Sequence, residues 1–256
     1  MFVAEMVFMI VLGAILGSFA NVLVVRLHEE SSILGRSRCP GCRQTIKAAH
    51  LVPIVSWFYL RGKCAACGKG IHWQYPVVEA SVAILTLVAF LRHATEPLEA
   101  VWPVIGFEIL LSIILIVIVT FDLRWQLIPL EFTVVGTMLL AAYKIALGSD
   151  FLSLLMGAVA VAAILGAFVL LSRGRLMGEG DPIVGMIVGI VLGFPYAVVG
   201  LLLAFISGGA VAAALLLQGS VTRKTAIPFT PFLFVGMLIA IWWAGPLAIL
   251  FGYAPS

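Results

Sequence analysis

Eight apolar runs, broken by short polar joints and one long loop, decide what this chain can fold into. They cover Phe2–Val25, Val77–Leu91, Val101–Phe121, Ile128–Leu147, Phe151–Leu171, Ile183–Leu192, Tyr196–Leu217 and Phe229–Phe251. A helix needs about 20 mainly apolar residues to cross the hydrocarbon of a bilayer, and most of these runs approach that length. With 63% apolar and 11% charged residues, a water-soluble fold of 256 residues could not cover its surface with polar groups. The expected fold class is therefore an all-α polytopic membrane protein with about eight transmembrane helices. The sixth run, ending at Gly193-Phe194-Pro195, is short enough for a half-helix. The first run does not read as a removable signal peptide, because no basic region precedes it, Glu5 lies near its start and Arg26 stands at its far end.

The charges orient the spans. If Arg26 is inside, eight Lys or Arg fall in 26–76, and Arg124, Arg173, Arg175, Arg223 and Lys224 fall on the same side, giving 13 of 15. Only Arg92 and Lys144 lie toward the other side. Such a positive-inside bias places both termini outside and the 26–76 loop in the cytoplasm. The net charge of +3 comes with no basic arm or aromatic-basic stripe, so nucleic acid is not an expected partner.

All four cysteines lie in that loop, as Cys39-Pro40-Gly41-Cys42 and Cys64-Ala65-Ala66-Cys67, with 21 residues between the pairs. Two CxxC turns at this separation aim four thiolates at one point, the pattern of a structural zinc ribbon. Two disulfides are the competing reading, and a reducing cytoplasm disfavours them. A metal would also supply folding energy that a loop of about 50 residues lacks. The expected organisation is a first transmembrane helix at 1–25, a cytoplasmic four-cysteine, zinc-ribbon-like domain at 26–76 and a seven-helix membrane domain at 77–256. His28, His50, His72 and His93 share no spacing and read as interfacial polar residues.

Carboxylates at span ends need a reason. Of the three aspartates, Asp122 and Asp181 are expected at cytoplasmic ends of spans and Asp150 on the opposite face. Asp181 closes Gly178-Glu179-Gly180-Asp181 and precedes Pro182, so a plain helix N-cap would account for it. Two carboxylates at one depth and side offer another reading. They can share a proton, one member activating water while the other hydrogen-bonds a scissile carbonyl, as in aspartic proteases. Glu79 and Glu179 are candidates for binding a basic substrate segment, with an interfacial ion pair or loop solvation as the plainer alternatives. Glu108 lies deeper in its span and reads as a structural hydrogen-bonding group.

Taken in order, the motifs resemble those of the type IV prepilin peptidases. They are Gly17-Ser18-Phe19-Ala20-Asn21-Val22 with Arg26-Leu27, the two CxxC pairs, Ser56-Trp57 with Arg61-Gly62-Lys63-Cys64, and Tyr75-Pro76-Val77-Val78-Glu79. Phe121-Asp122 with Leu127-Ile128-Pro129, the GxGD at 178–181, and Ile227-Pro228-Phe229-Thr230-Pro231-Phe232 complete the set. Ile183 stands where family members usually carry Lys, and Leu130 where an acid is common. The resemblance implies an inner-membrane GxGD aspartic peptidase that cuts the leader from prepilins or pseudopilins of type IV pilus and type II secretion systems. It maps the catalytic aspartates onto Asp122 and Asp181. It also implies N-methylation of the new amino terminus from S-adenosylmethionine, for which no Rossmann-type motif is present. From a different class, a non-enzymatic membrane carrier or assembly factor with a zinc-ribbon docking domain would use the same aspartates as caps or proton sites.

Overall fold

The structure is a computed structural model that describes residues 2–174, 177–222 and 225–243. Among these residues it is helical, with no strands. Nine α-helices follow in order: α1 (Phe2–His28), α2 (Val55–Tyr59), α3 (Gln74–Arg92), α4 (Leu98–Trp125), α5 (Leu130–Ala146), α6 (Phe151–Ser172), α7 (Asp181–Leu192), α8 (Tyr196–Leu217) and α9 (Thr230–Trp242). All but α2 correspond to one of the eight apolar runs. α1, α3, α4, α6 and α8 are long and apolar enough to cross a membrane, whereas α7 and α9 are shorter apolar helices. The end of the eighth run, 244–251, and three of the orientation charges, Arg175, Arg223 and Lys224, lie outside the described residues.

The helices overrun the apolar runs at both ends of α4, because Leu98 to Ala100 and Asp122 to Trp125 hold helical backbone without being apolar throughout. Pro103 sits in the second turn of α4, where its missing N–H forgoes a single bond to the carbonyl four residues back, and the helix continues through it. The chain forms two compact units, Met1–Thr120 and Phe121–Ser256.

In the first unit α1 and α3 touch through small residues. A Cβ on Gly13 would stand 2.6 Å from Ala83 Cα, and one on Gly17 2.6 Å from Glu79 Cα. Close approach of small-residue faces is the usual basis of helix pairing in lipid, where no hydrophobic force joins helices. Met9, Phe90, Val101 and Ile105 form a buried cluster beside this contact. Asn21 and Gln74 are buried and bonded to each other, Gln74 Nε2 donating to Asn21 Oδ1 at 3.1 Å while Asn21 Nδ2 donates to Tyr75 O at 3.0 Å.

In the second unit α7 is the most enclosed helix, with eight of its 12 residues buried. A Cβ on Gly189 would stand 2.4 Å from the backbone of Ala158, and one on Gly236 of α9 would stand 2.3 Å from Gly200 O of α8. Backbone meets backbone at both places, which only glycine permits.

Candidate active site and metal centre

The three aspartates do different things. Asp150 is a helix cap: it precedes α6 and its Oδ2 accepts the Ser153 N–H at 2.8 Å. Asp181 is not. The N-cap of α7 is Gly180, Asp181 is already the first helical residue, and no side chain caps the helix. The Asp181 carboxylate turns backward and accepts the Gly178 N–H on Oδ2 at 3.0 Å. The plain N-cap alternative for Asp181 does not hold, because Gly180 occupies the N-cap position and the carboxylate instead reaches back three residues to the turn before the helix.

Asp122 lies in the last turn of α4, and its Oδ2 accepts the Thr230 N–H at 3.2 Å. Thr230 opens α9, where first-turn amides have no helical partner, so a carboxylate satisfies one of them. Both carboxylates are only 7% exposed, and the charge of Asp122 bears directly on Asp181. Neither has an ion-pair partner among the described residues. Three motifs build this place together. The segment after Asp122 supplies Ile128, which presses on Gly180 so closely that a Cβ there would stand 2.6 Å from Ile128 Cγ1. Gln126 Nε2 donates to Ala226 O at 3.4 Å, tying the same segment to the one that leads into Thr230.

Thr230 is the part that sequence reasoning missed. Its signal was present, since Thr230-Pro231 is a helix start and a helix start offers free amides to an anion.

The cysteine site is built from two copies of one turn. In the first, Cys39 N–H donates to Gln44 O and Arg43 N–H to Cys39 O; in the second, Cys64 N–H donates to Lys69 O and Gly68 N–H to Cys64 O. Each turn is closed by an antiparallel bridge, Arg38 with Thr45 and Lys63 with Gly70. This geometric repeat at 25-residue separation escapes a search for sequence repeats, because only the cysteines and the backbone recur. The fifth position takes positive φ in both copies, Arg43 at 58° and Gly68 at 71°.

The four sulfurs fit a zinc ion. At about 2.3 Å from a tetrahedral zinc they would lie about 3.8 Å apart. Cys39 Sγ and Cys67 Sγ are 3.8 Å apart, and all four ligand atoms lie within 4.8 Å of one another. The Cys42 and Gly41 amides lower the Cys39 thiol to about 6. For Cys67 the Lys69 amide also lowers it, but desolvation and the neighbouring thiols outweigh that and hold it at about 11.

The comparisons with known proteins match the segments that hold these residues. The bacterial peptidase A24 N-terminal domain matches residues 11–93, which contain the cysteine turns. The type IV leader peptidase family matches residues 109–213, which contain both aspartates of the pair. The chain is 32% identical over 232 residues to a prepilin leader peptidase/N-methyltransferase of Bacillus subtilis, covering 90% of this chain and 91% of that protein. The chain belongs to the type IV leader peptidase family. A leader peptide-processing enzyme for type 4 prepilin-like proteins from Escherichia coli is 30% identical over 258 residues, covering 90% and 91%. A Myxococcus xanthus relative, also named prepilin leader peptidase/N-methyltransferase, is 36% identical over 154 residues, covering 59% of this chain and 44% of that one. No solved structure matches the chain.

Two further candidate residues of this leader peptidase family member have plain positions. Glu79 is buried in α3 of the first unit, where its Oε2 accepts the Ile54 N–H at 2.6 Å and the Ser18 hydroxyl also bonds to it. Its partners are an amide and a hydroxyl rather than the Lys or Arg expected of an interfacial acid. Glu179 is exposed in the turn before α7. Glu108 pairs with Arg92, with His93 Nε2 3.7 Å away. Glu108 thus makes the polar contact expected of it, but with an exposed arginine at the end of α3 rather than inside the bundle. His72 Nδ1 accepts the Gln74 N–H at the start of α3.

Proposed function

We propose that this membrane protein is an aspartic endopeptidase that removes the leader from type IV prepilins or pseudopilins at the cytoplasmic membrane face, with Asp122 and Asp181 as its catalytic pair. The names of its relatives support the substrate, and the geometry of the pair supports the roles. One carboxylate, ionised, takes a proton from water; the other, protonated, donates to the carbonyl oxygen of the scissile peptide. As the tetrahedral gem-diol collapses, the first gives its proton to the leaving amine and the second takes a proton back from the gem-diol hydroxyl, so the pair returns to its starting state. The Thr230 amide holds one oxygen of Asp122 and the Gly178 amide one oxygen of Asp181, which fixes the orientation of both carboxylates. The observation that carries this reading is that the two buried aspartates, neither of them the N-cap of its own helix, are the two of which one bears its charge on the other. Against the carrier reading, Asp150 is exposed and caps the helix it precedes, whereas Asp122 and Asp181 are buried.

The rest of the assignment follows the family. Cys39, Cys42, Cys64 and Cys67 would hold one structural zinc that fixes the 26–76 domain and takes no part in the peptide chemistry. Methyl transfer from S-adenosylmethionine to the new amino terminus would follow cleavage. Glu79 and Glu179 remain candidates for contacting the basic leader, Glu179 the better placed because it is exposed. The domains run 1–25, 26–76 and 77–256, both termini are outside, and the aspartates face the cytoplasm. The test is purified protein in detergent with a prepilin and labelled S-adenosylmethionine. A shortened pilin carrying one methyl group is the expected product; an uncut prepilin would overturn the assignment, and a cut but unmethylated one would remove the transferase half.

A further inference from the structure

The peptidase reading makes no use of the apolar rim of the cysteine domain, and that rim is out of place on a polar loop. Val52, Val55, Phe58 and Tyr59 are exposed, the last two at 64% and 80%. A contiguous apolar surface of this kind marks a binding face.

Glu79 fixes where that rim sits. Val55 N–H donates to Pro53 O at 2.6 Å, closing a γ-turn on Ile54, whose φ and ψ are 62° and −56°. This hand of γ-turn is rare and strained, the more so for a β-branched residue. It persists because the Ile54 N–H it exposes is held by the buried Glu79 carboxylate. Glu79 is in the second turn of α3, and its Cα packs on Gly17, 11 residues before the end of α1. At 1.5 Å per residue that is about 16 Å back along a spanning helix. The loop therefore folds back along α1 and α3 to the depth of a bilayer boundary instead of standing off in water.

The surroundings fit the same surface. Between positions 31 and 73 there are seven Lys or Arg and no Asp or Glu. Trp73, at the mouth of α3, is 63% exposed, where an indole suits the headgroup zone. We propose that Val52 to Tyr59, with Trp73, form a lip that lies in the headgroup and upper acyl zone of an anionic bilayer, pinned there by Glu79. A basic rim around an apolar edge is the chemistry that an anionic lipid surface recognises.

The test uses the full chain in vesicles of phosphatidylethanolamine and phosphatidylglycerol, with photoreactive benzoylphenylalanine in place of Phe58. Phe8, exposed on α1, and Gln44, in the first cysteine turn, are the comparison sites. Lipid adducts are expected at 58 and 8 and not at 44. Each basic residue near such a surface contributes about 1 kcal/mol, so replacing phosphatidylglycerol by phosphatidylcholine should cut the adduct at 58 at least about fivefold and leave that at 8 unchanged. An adduct at 58 to protein, whether a second copy or this chain, or none at all, would overturn the lip. An adduct indifferent to headgroup charge would overturn the anionic surface. In Glu79→Ala the adduct at 58 should disappear while that at 8 persists, which shows that the chain still inserts; an unchanged adduct at 58 would overturn the pin.

Discussion

The two chemical sites of this chain are assembled in opposite ways. The cysteine site is two copies of a short turn, each of which places its own pair of thiols before the other is considered. The aspartate site takes single groups from positions 122, 178, 181 and 230, and none of these segments aims its group without the others. A site built from repeated turns announces itself by spacing and, with a metal in it, would depend on that metal. A site built from separate helix ends announces nothing by spacing and depends on packing between backbones.

If that contrast is right, the largest effect belongs to the metal. Structural zinc in small cysteine sites contributes on the order of 10 kcal/mol of folding free energy. Cys39→Ser with Cys42→Ser should therefore lose zinc by elemental analysis and expose the basic 36–69 stretch to trypsin, with helix content by circular dichroism otherwise kept. Acid should act in the same direction. Binding needs four thiolates, and with Cys67 raised to about 11 and Cys39 lowered to about 6, it releases protons, so zinc affinity should rise from about pH 6 to about pH 11. Full trypsin resistance in the zinc-free variant would break the contrast, because the turns would then stand without metal.

Next in size is the aspartate pair. Asp122→Asn and Asp181→Asn should each lower prepilin cleavage by about 10⁴-fold or more, and the double variant should be no worse than either, since groups that act as a unit are not additive. Asn caps a helix about as well as Asp, so Asp150→Asn is the control and should cut normally. Cleavage retained in Asp181→Asn would sink the catalytic assignment.

A smaller effect tests the packing. Gly180→Ala forces a methyl against Ile128 and should cost about 1–3 kcal/mol of stability, with cleavage reduced as Asp181 shifts. Ile128→Ala in the same chain should restore part of both; no rescue would mean that the glycine is needed for something other than this contact. Smallest of all, Arg43→Gly relieves a left-handed residue at the place where the second turn already has Gly68, and should stabilise the zinc-bound domain by up to about 1 kcal/mol. Thermal unfolding of the cysteine domain, followed by trypsin nicking, would register it.

Most of the fold was legible because hydrophobic length is the strongest signal a membrane chain carries, and among the described residues each of the eight apolar runs holds a helix. Boundaries were less so. Asp122 through Trp125 remain helical past the end of an apolar run, since helix and apolarity are different properties. The clustering of the four cysteines was legible to the residue. For the aspartates, topology could place two of them on one side but could not distinguish a cap from a residue one position inside the helix, and that single step moves Asp181 from capping its helix to turning away from it. The γ-turn at Ile54 left no trace in sequence, because a strained β-branched residue is held by a carboxylate 25 positions away and no local preference encodes it.

α7 holds a last consequence. It is 12 residues long, about 18 Å, against roughly 30 Å of hydrocarbon in an ordinary bilayer. The helix is packed among α5, α6, α8 and α9, so the difference is not made up by lipid at its sides but by water at its ends, and Asp181 stands at one of them. The aqueous boundary would then reach the carboxylate, so that a peptide and its attacking water could arrive there without leaving solvent.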